Sequence, residues 1–360
     1  MLAAVGVVAY GHRLGRGILR RVTVDATPDL TVDLRSIQAA AELIRPHLLR
    51  TPTLPMRRLT EELGLPVVAK FELLQYTGAF KARGAFHRML RLTDAERAAG
   101  VVAVSGGNHG LAVAYAAREL GLLATLYMPI TTPPSSVQRA RADGAQIVIM
   151  DTIAEAFARV HDEVARGKVL IHPYDDPVVV AGQGTVGLEL HQDAPEVTDV
   201  IVSIGGGGLI TGVATALKAL DPAVRIWGVE TEGADTMTRS LRAGHPVTLD
   251  VVSSIATTLG APTVSTQALA TVQALVEDVV LVTDADAVRG IELLAATAKI
   301  IAEPAAACTW PAALRIRDRL PDDARVALIL CGGNVSLDDV SRWRKQFPFI
   351  RTDLQEPAGE

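Results

Sequence analysis

Val101-Val-Ala-Val-Ser-Gly-Gly-Asn-His-Gly-Leu-Ala-Val-Ala-Tyr-Ala-Ala-Arg-Glu-Leu-Gly-Leu-Leu-Ala-Thr-Leu-Tyr127 reads as an apolar β-prone run, a glycine turn, a helix from about Leu111 to Leu120, and a second β-prone run. A strand, a helical crossover and another strand make a βαβ unit, which sets its two strands parallel in one sheet. Outward from it the alternation continues through Gln146–Met150 and Lys168–Ile171. A second series has Val200–Ile204, Arg225–Val229, Val279–Val282 and Val326–Leu330 as its strands. The expected fold class is therefore α/β, with two open parallel-sheet lobes. The smaller lobe is expected over residues 100–175, and the larger is assembled from 31–99 plus 176–345. Residues 1–30 read as an N-terminal extension and 346–360 as a polar tail. Loops at the carboxyl ends of the strands should meet in the cleft between the lobes, where open α/β sheets bind ligands.

Composition narrows the function classes. At 360 residues and 49% apolar content the chain can bury the cores of two lobes. A net charge of −5 argues against a general nucleic-acid binder, which normally carries a basic face. Small molecules are the expected partners. No apolar run reaches the length needed to span a bilayer, so no membrane partner is expected. Cys308 and Cys331 form neither a metal-ligand spacing nor a disulfide framework, which suits a reducing, cytoplasmic setting. Arg13, Arg16, Arg20 and Arg21 give the first residues a basic, acid-free character that faintly resembles a transit peptide, but an extension or a mis-assigned start is the expectation.

Lys81 lies in Glu72-Leu-Leu-Gln-Tyr-Thr-Gly-Ala-Phe-Lys-Ala-Arg-Gly-Ala85, a glycine-flanked turn running into a helix. The chain uses six lysines against twenty-nine arginines. A guanidinium does not readily lose a proton, so a lysine kept here suits amine chemistry, while a solvated lysine at a helix start is the plainer alternative. Gly205-Gly-Gly-Gly-Leu-Ile-Thr-Gly212 follows an apolar run and opens a helix. Such a turn presents backbone N–H groups to a phosphate, and a dinucleotide fingerprint is the weaker alternative because the GxGxxG spacing is not kept. Ser105-Gly-Gly-Asn-His-Gly110 is a candidate carboxylate cradle, or simply a tight strand-to-helix turn. Cys331-Gly-Gly-Asn-Val335 is a third loop at a strand end.

Together these four elements, in this order, resemble the fold-type II pyridoxal-phosphate enzymes, and most closely the threonine/serine dehydratase and serine racemase family. Ala181-Gly-Gln-Gly-Thr185 with Gly187 and Glu189, His172-Pro-Tyr-Asp-Asp-Pro177 and Ala302-Glu-Pro304 add to the match, which runs from about Thr51 to Ser336. The resemblance implies a tryptophan synthase β-like fold with pyridoxal 5'-phosphate in the cleft between the lobes. It implies that Lys81 tethers the cofactor covalently and then serves as the catalytic base. Phe80 would lie against the cofactor ring, Asn108 would bond its 3-hydroxyl, and Gly205, Gly206, Gly207, Gly208 and Leu209 would bind its phosphate. Glu303 would lie near the ring edge and Cys331 would face the pyridine nitrogen. Ser105, Gly106, Asn108 and His109 would receive the substrate. A homodimer in the cytoplasm is implied as well.

Three departures bear on what is carried over. Ala79 stands where the family usually has serine, which bears on substrate identity. Gly106 stands where the serine racemases have a serine that acts as a second acid/base. Thr236, in Glu230-Thr-Glu-Gly-Ala-Asp-Thr236, stands where some members carry an acidic metal ligand, so no metal is expected. The implied reaction is dehydration and deamination of a β-hydroxy-α-amino acid, L-threonine to 2-oxobutanoate or L-serine to pyruvate, with release of ammonia. Alternatives are a dehydratase for phenylserine or 3-hydroxyaspartate, a β-replacement synthase, an amino-acid racemase, and a non-catalytic amino-acid-binding protein. The short stretch after Val335 leads to the further expectation that no C-terminal effector domain, and so no isoleucine feedback through one, is present.

Overall fold

The computed structural model describes residues 32–348, so the expectations for the basic N-terminal residues and for most of the tail lie outside the described residues. The described residues contain ten strands: β1 (Thr53–Pro55), β2 (Val67–Lys70), β3 (Val101–Val104), β4 (Ala124–Pro129), β5 (Gln146–Met150), β6 (Val169–Leu170), β7 (Asp199–Ser203), β8 (Arg225–Thr231), β9 (Asp278–Val282) and β10 (Val326–Ile329). They form a six-stranded sheet, β1-β2-β10-β7-β8-β9, and a four-stranded sheet, β5-β4-β3-β6. Every pairing is parallel except β1 on β2. The fold is α/β with two open parallel-sheet lobes.

The central strands β3, β7 and β10 are buried at every residue. That explains their near-continuous aliphatic character, since helices cover both faces of a parallel sheet. Each sheet has its own main core. Val200, Ile201 and Leu328 belong to one, and Val101, Ala103 and Leu126 to the other.

The helix Pro177–Asp193 packs against both Lys81–Leu90 and Gly208–Leu220. Their approach is set by glycine. A Cβ on Gly182 would fall 2.8 Å from the Arg83 carbonyl oxygen, and one on Gly212 would fall 2.5 Å from the Gly184 nitrogen. Neither distance is compatible with a side chain, so the helices touch backbone to backbone.

A buried ion cluster joins two of these helices, Lys81–Leu90 and Pro177–Asp193, to β2. Arg83 is 1% exposed. Its Nε donates to Glu72 Oε2 and its Nη1 to Glu189 Oε1, both at 2.8 Å, while Nη2 donates to the second oxygen of each carboxylate. Lys70, fully buried at the end of β2, donates to Glu189 Oε2 at 2.6 Å and to the Thr51 carbonyl at 2.7 Å. Burial disfavours the Arg83 charge, but Glu72 and Glu189 more than offset it and raise the pKa further above its ordinary value. The cluster thus fixes the start of the helix that carries Lys81.

Candidate active site

Lys81 is the first residue of its helix, directly after the glycine-flanked turn. The turn is held to the strand end after β10: Phe80 N–H donates to the Cys331 carbonyl at 3.0 Å, and Ala79 pairs with Gly332 in an isolated antiparallel bridge. Thr77 and Gly78 both take positive φ, 68° and 77°. At Gly78 a Cβ would also strike Asn334 Oδ1 at 2.7 Å, which accounts for the glycine.

The Lys81 amine donates to the Pro173 carbonyl at 2.6 Å and lies 5.1 Å from the centre of the Phe80 ring. Burial lowers its pKa to about 8, against the opposing pull of Cys331 and Glu303. A larger share of neutral amine is then present near neutral pH than an exposed lysine would have.

Glu303 and Cys331 line the neighbouring wall, each 3% exposed. The Glu303 carboxylate accepts from Asn108 Nδ2 at 2.9 and 3.0 Å and from Thr258 Oγ1 at 3.0 Å, and burial raises its pKa. Burial also holds the Cys331 thiol well above its ordinary pKa, with Glu303 adding to the effect, so the thiol stays neutral. Asn108 Oδ1 accepts from Asn334 Nδ2 at 2.7 Å. Asn334 Oδ1 in turn accepts from Arg139 Nη1 at 2.7 Å, so the helix Pro134–Ala142 of the smaller lobe reaches across to the larger one.

The tetraglycine turn closes the group. Gly207 takes φ 91° as the N-cap of the helix Gly208–Leu220, which has no side-chain cap and no acid in its first turn. Backbone donors at a helix start without a competing carboxylate suit an anion. The glycines also answer to the protein itself, since a Cβ on Gly206 would lie 2.2 Å from the Tyr174 ring and one on Gly207 2.4 Å from Ala268 Cβ. The segment His172–Asp175 therefore touches both the turn, through Tyr174, and the lysine, through Pro173.

Ser105, Gly106, Asn108 and His109 stand at the end of β3 and the start of the helix Asn108–Glu119. Ser105 Oγ accepts from the Gly107 N–H at 3.2 Å. The His109 ring points elsewhere: Nε2 bonds the Ile171 carbonyl at 2.8 Å, and burial followed by the nearby Lys81 charge depresses the pKa to about 3. A neutral ring whose N–H is already donated leaves only an acceptor nitrogen, so the side chain has no donor to spare for a carboxylate. Glu230, near the end of β8, is likewise committed, accepting from Met237 N, Thr238 N and Thr238 Oγ1. Pro173 and Tyr174 lie in the matching stretch His172–Pro177 and Thr258 in none, but the place of all three beside the lysine, the glycine turn and Glu303 becomes visible only in three dimensions.

Residues 44–332 match the family model described as pyridoxal-phosphate dependent enzyme. The chain belongs to that family. Its cofactor is pyridoxal phosphate, and the residues present fit the group: an uncapped helix start for the phosphate, a desolvated amine for the carbonyl carbon, and a phenyl ring beside them. The enzyme is 38% identical over 308 residues to an L-threonine ammonia-lyase of Geobacter sulfurreducens, spanning 85% of this chain and 76% of that protein. It is 37% identical over 315 residues to a catabolic L-threonine dehydratase of Staphylococcus aureus, spanning 86% and 91%. Among solved structures, maize serine racemase superposes with a TM-score of 0.83 at 35% identity, covering 88% of this chain and 97% of that one.

Proposed function

We propose that the enzyme is an ammonia-lyase that dehydrates and deaminates a β-hydroxy-α-amino acid, with L-threonine, giving 2-oxobutanoate, and L-serine, giving pyruvate, as the leading substrates. The observation that carries the reading is the buried Lys81 amine, with a pKa near 8, set between the uncapped glycine turn and the neutral Cys331 thiol. Bound at this site, pyridoxal phosphate supplies an electron sink for the bond broken at the α-carbon.

The chain's own residues do the rest. Lys81 is the point of covalent attachment and, after substrate has taken its place, the base whose Nζ accepts the α-proton. Gly205 to Gly208 and Leu209 offer N–H groups to the phosphate, and Phe80 packs on the ring. Asn108 and Glu303 border the ring edge. Ser105 and the backbone from Gly106 to His109 hold the substrate carboxylate. Cys331, being neutral, places no negative charge beside the ring nitrogen. A neutral neighbour there would keep the sink weak, which would favour loss of the β-hydroxyl. Support for threonine or serine over other β-hydroxy amino acids comes from the names of the relatives just described. A homodimer in the cytoplasm completes the proposal.

The test is direct. Purified holoprotein should be yellow and should release ammonia and 2-oxobutanoate from L-threonine in equal amounts. Racemised amino acid without keto acid would overturn the reading. So would a colourless protein that cannot be reconstituted.

A further inference from the structure

Gly106 has its missing side chain supplied by a neighbour. A Cβ built there would lie 2.0 Å from Thr132 Oγ1 and 2.8 Å from both Thr132 Cβ and Cγ2. Thr132 therefore fills the volume that any side chain at position 106 would take. It reaches that place from the turn after β4, where its N–H is bonded to the Pro129 carbonyl at 2.8 Å. The residue is 8% exposed, and among the described residues its hydroxyl has no hydrogen-bond partner.

A hydroxyl withdrawn from water and left unpaired is costly, and such groups in folded proteins are nearly always satisfied by something. Here the surroundings say what the something is. The helix Asn108–Glu119 starts at this loop with Gly107 as its N-cap, with no side-chain cap and no acid in its first turn, so the loop favours an anion. Its other side chains are partly committed. Ser105 Oγ accepts from the Gly107 N–H and keeps its own O–H, whereas Asn108 Nδ2 is shared between the two oxygens of Glu303 and the His109 ring donates to Ile171. Thr132 brings a second uncommitted O–H to a loop in which the Asn108 and His109 side-chain donors are already spent.

We propose that the Thr132 hydroxyl donates a hydrogen bond to the α-carboxylate of the bound amino acid, standing in for a side chain at Gly106. The inference rests on the amino-acid-binding part of the proposed function and is independent of which β-substituent is lost. It makes Thr132 a substrate-binding residue that no motif in the chain announces.

The experiment uses holoenzyme and two ligands that lack a β-hydroxyl, L-alanine and L-alaninol, titrated through the change in cofactor absorbance. Thr132→Val keeps the branched shape against Gly106 and removes only the hydroxyl. L-Alanine should then bind about tenfold or more weakly, the loss expected for a hydrogen bond to a charged acceptor. Thr132→Ser should recover most of that loss. L-Alaninol, which has no carboxylate, should not distinguish Thr132→Val from the wild type. Gly106→Ser should crowd Thr132 and weaken L-alanine binding. Adding Thr132→Ala, which leaves one hydroxyl across the same gap, should bind L-alanine better than either single variant. Unchanged L-alanine affinity in Thr132→Val overturns the proposal, and so does an equal loss for L-alaninol, which would mark Thr132 as packing alone. Saturable binding of L-alanine by a wild type that releases no keto acid from L-threonine would sink the ammonia-lyase reading, while the Thr132 comparison is still read from the same titrations.

Discussion

Lys81 and Arg83 stand two residues apart on one helix, and their surroundings differ in kind. Arg83 meets both oxygens of Glu72 and both of Glu189, leaving its charge fully paired. Lys81 has a single backbone carbonyl within bonding distance and a depressed pKa. The loops of the candidate site hold buried polar atoms with no partner among the described residues, including Thr77 Oγ1, His109 Nδ1 and Thr132 Oγ1. A saturated polar cluster holds a fold together; an unsaturated one is prepared for something that arrives. The difference teaches how to separate structural from functional charge when both are buried within one turn of helix.

The largest effect that could break this contrast is in turnover. Lys81→Ala should lower kcat by about 10³-fold or more, because both the covalent attachment and the base are lost. The glycine turn should still bind pyridoxal phosphate without covalent linkage, and urea unfolding of the apo form should match the wild type to within about 1 kcal/mol. Retained turnover would remove Lys81 from the chemistry.

Arg83→Leu should show the reverse pattern. It leaves Glu72 buried with no cation, which costs about 3–5 kcal/mol in unfolding free energy. Urea denaturation of the apo protein reads that number directly. A variant as stable as the wild type would erase the distinction between the two sites.

A smaller effect sharpens the comparison through pH. The neutral amine is the nucleophile, so the rate at which apoprotein captures pyridoxal phosphate at Lys81 should rise with pH and level off above about 8, rather than above the ordinary lysine value of 10.5. Stopped-flow absorbance between pH 6 and about 10 is the measurement. A midpoint near that of free lysine would show that burial does not tune the amine.

How much of this was legible depends on whether the chemistry left a local pattern. Val101–Val104, Val200–Ile204 and Val326–Leu330 are readable as buried parallel strands because both faces must be aliphatic. β2 is not readable, because Lys70 ends it and a lysine usually marks a surface, whereas here its charge is sunk in the Glu189 cluster. β1 is three residues, partly exposed, with a proline at its end. At the site, Lys81 and the glycine loops stand out because their residue types are unusual for their positions. Thr132 does not, since its meaning lies in what it touches, the gap at Gly106. An absent side chain can be read in a sequence; the neighbour that fills its place cannot.

The two cysteines have one more consequence. Cys308 and Cys331 are 0% and 3% exposed, and burial pushes the Cys308 thiol up to about 12 and the Cys331 thiol well above its ordinary value. Neither can be modified while the molecule is closed, so a thiol reagent counts openings rather than accessible surface. Because Cys331 lies near the Lys81 amine at the cleft and Cys308 in the core of the larger sheet, the order in which the two are labelled is a built-in clock: it tells whether the cleft parts before the lobe that supports it comes undone.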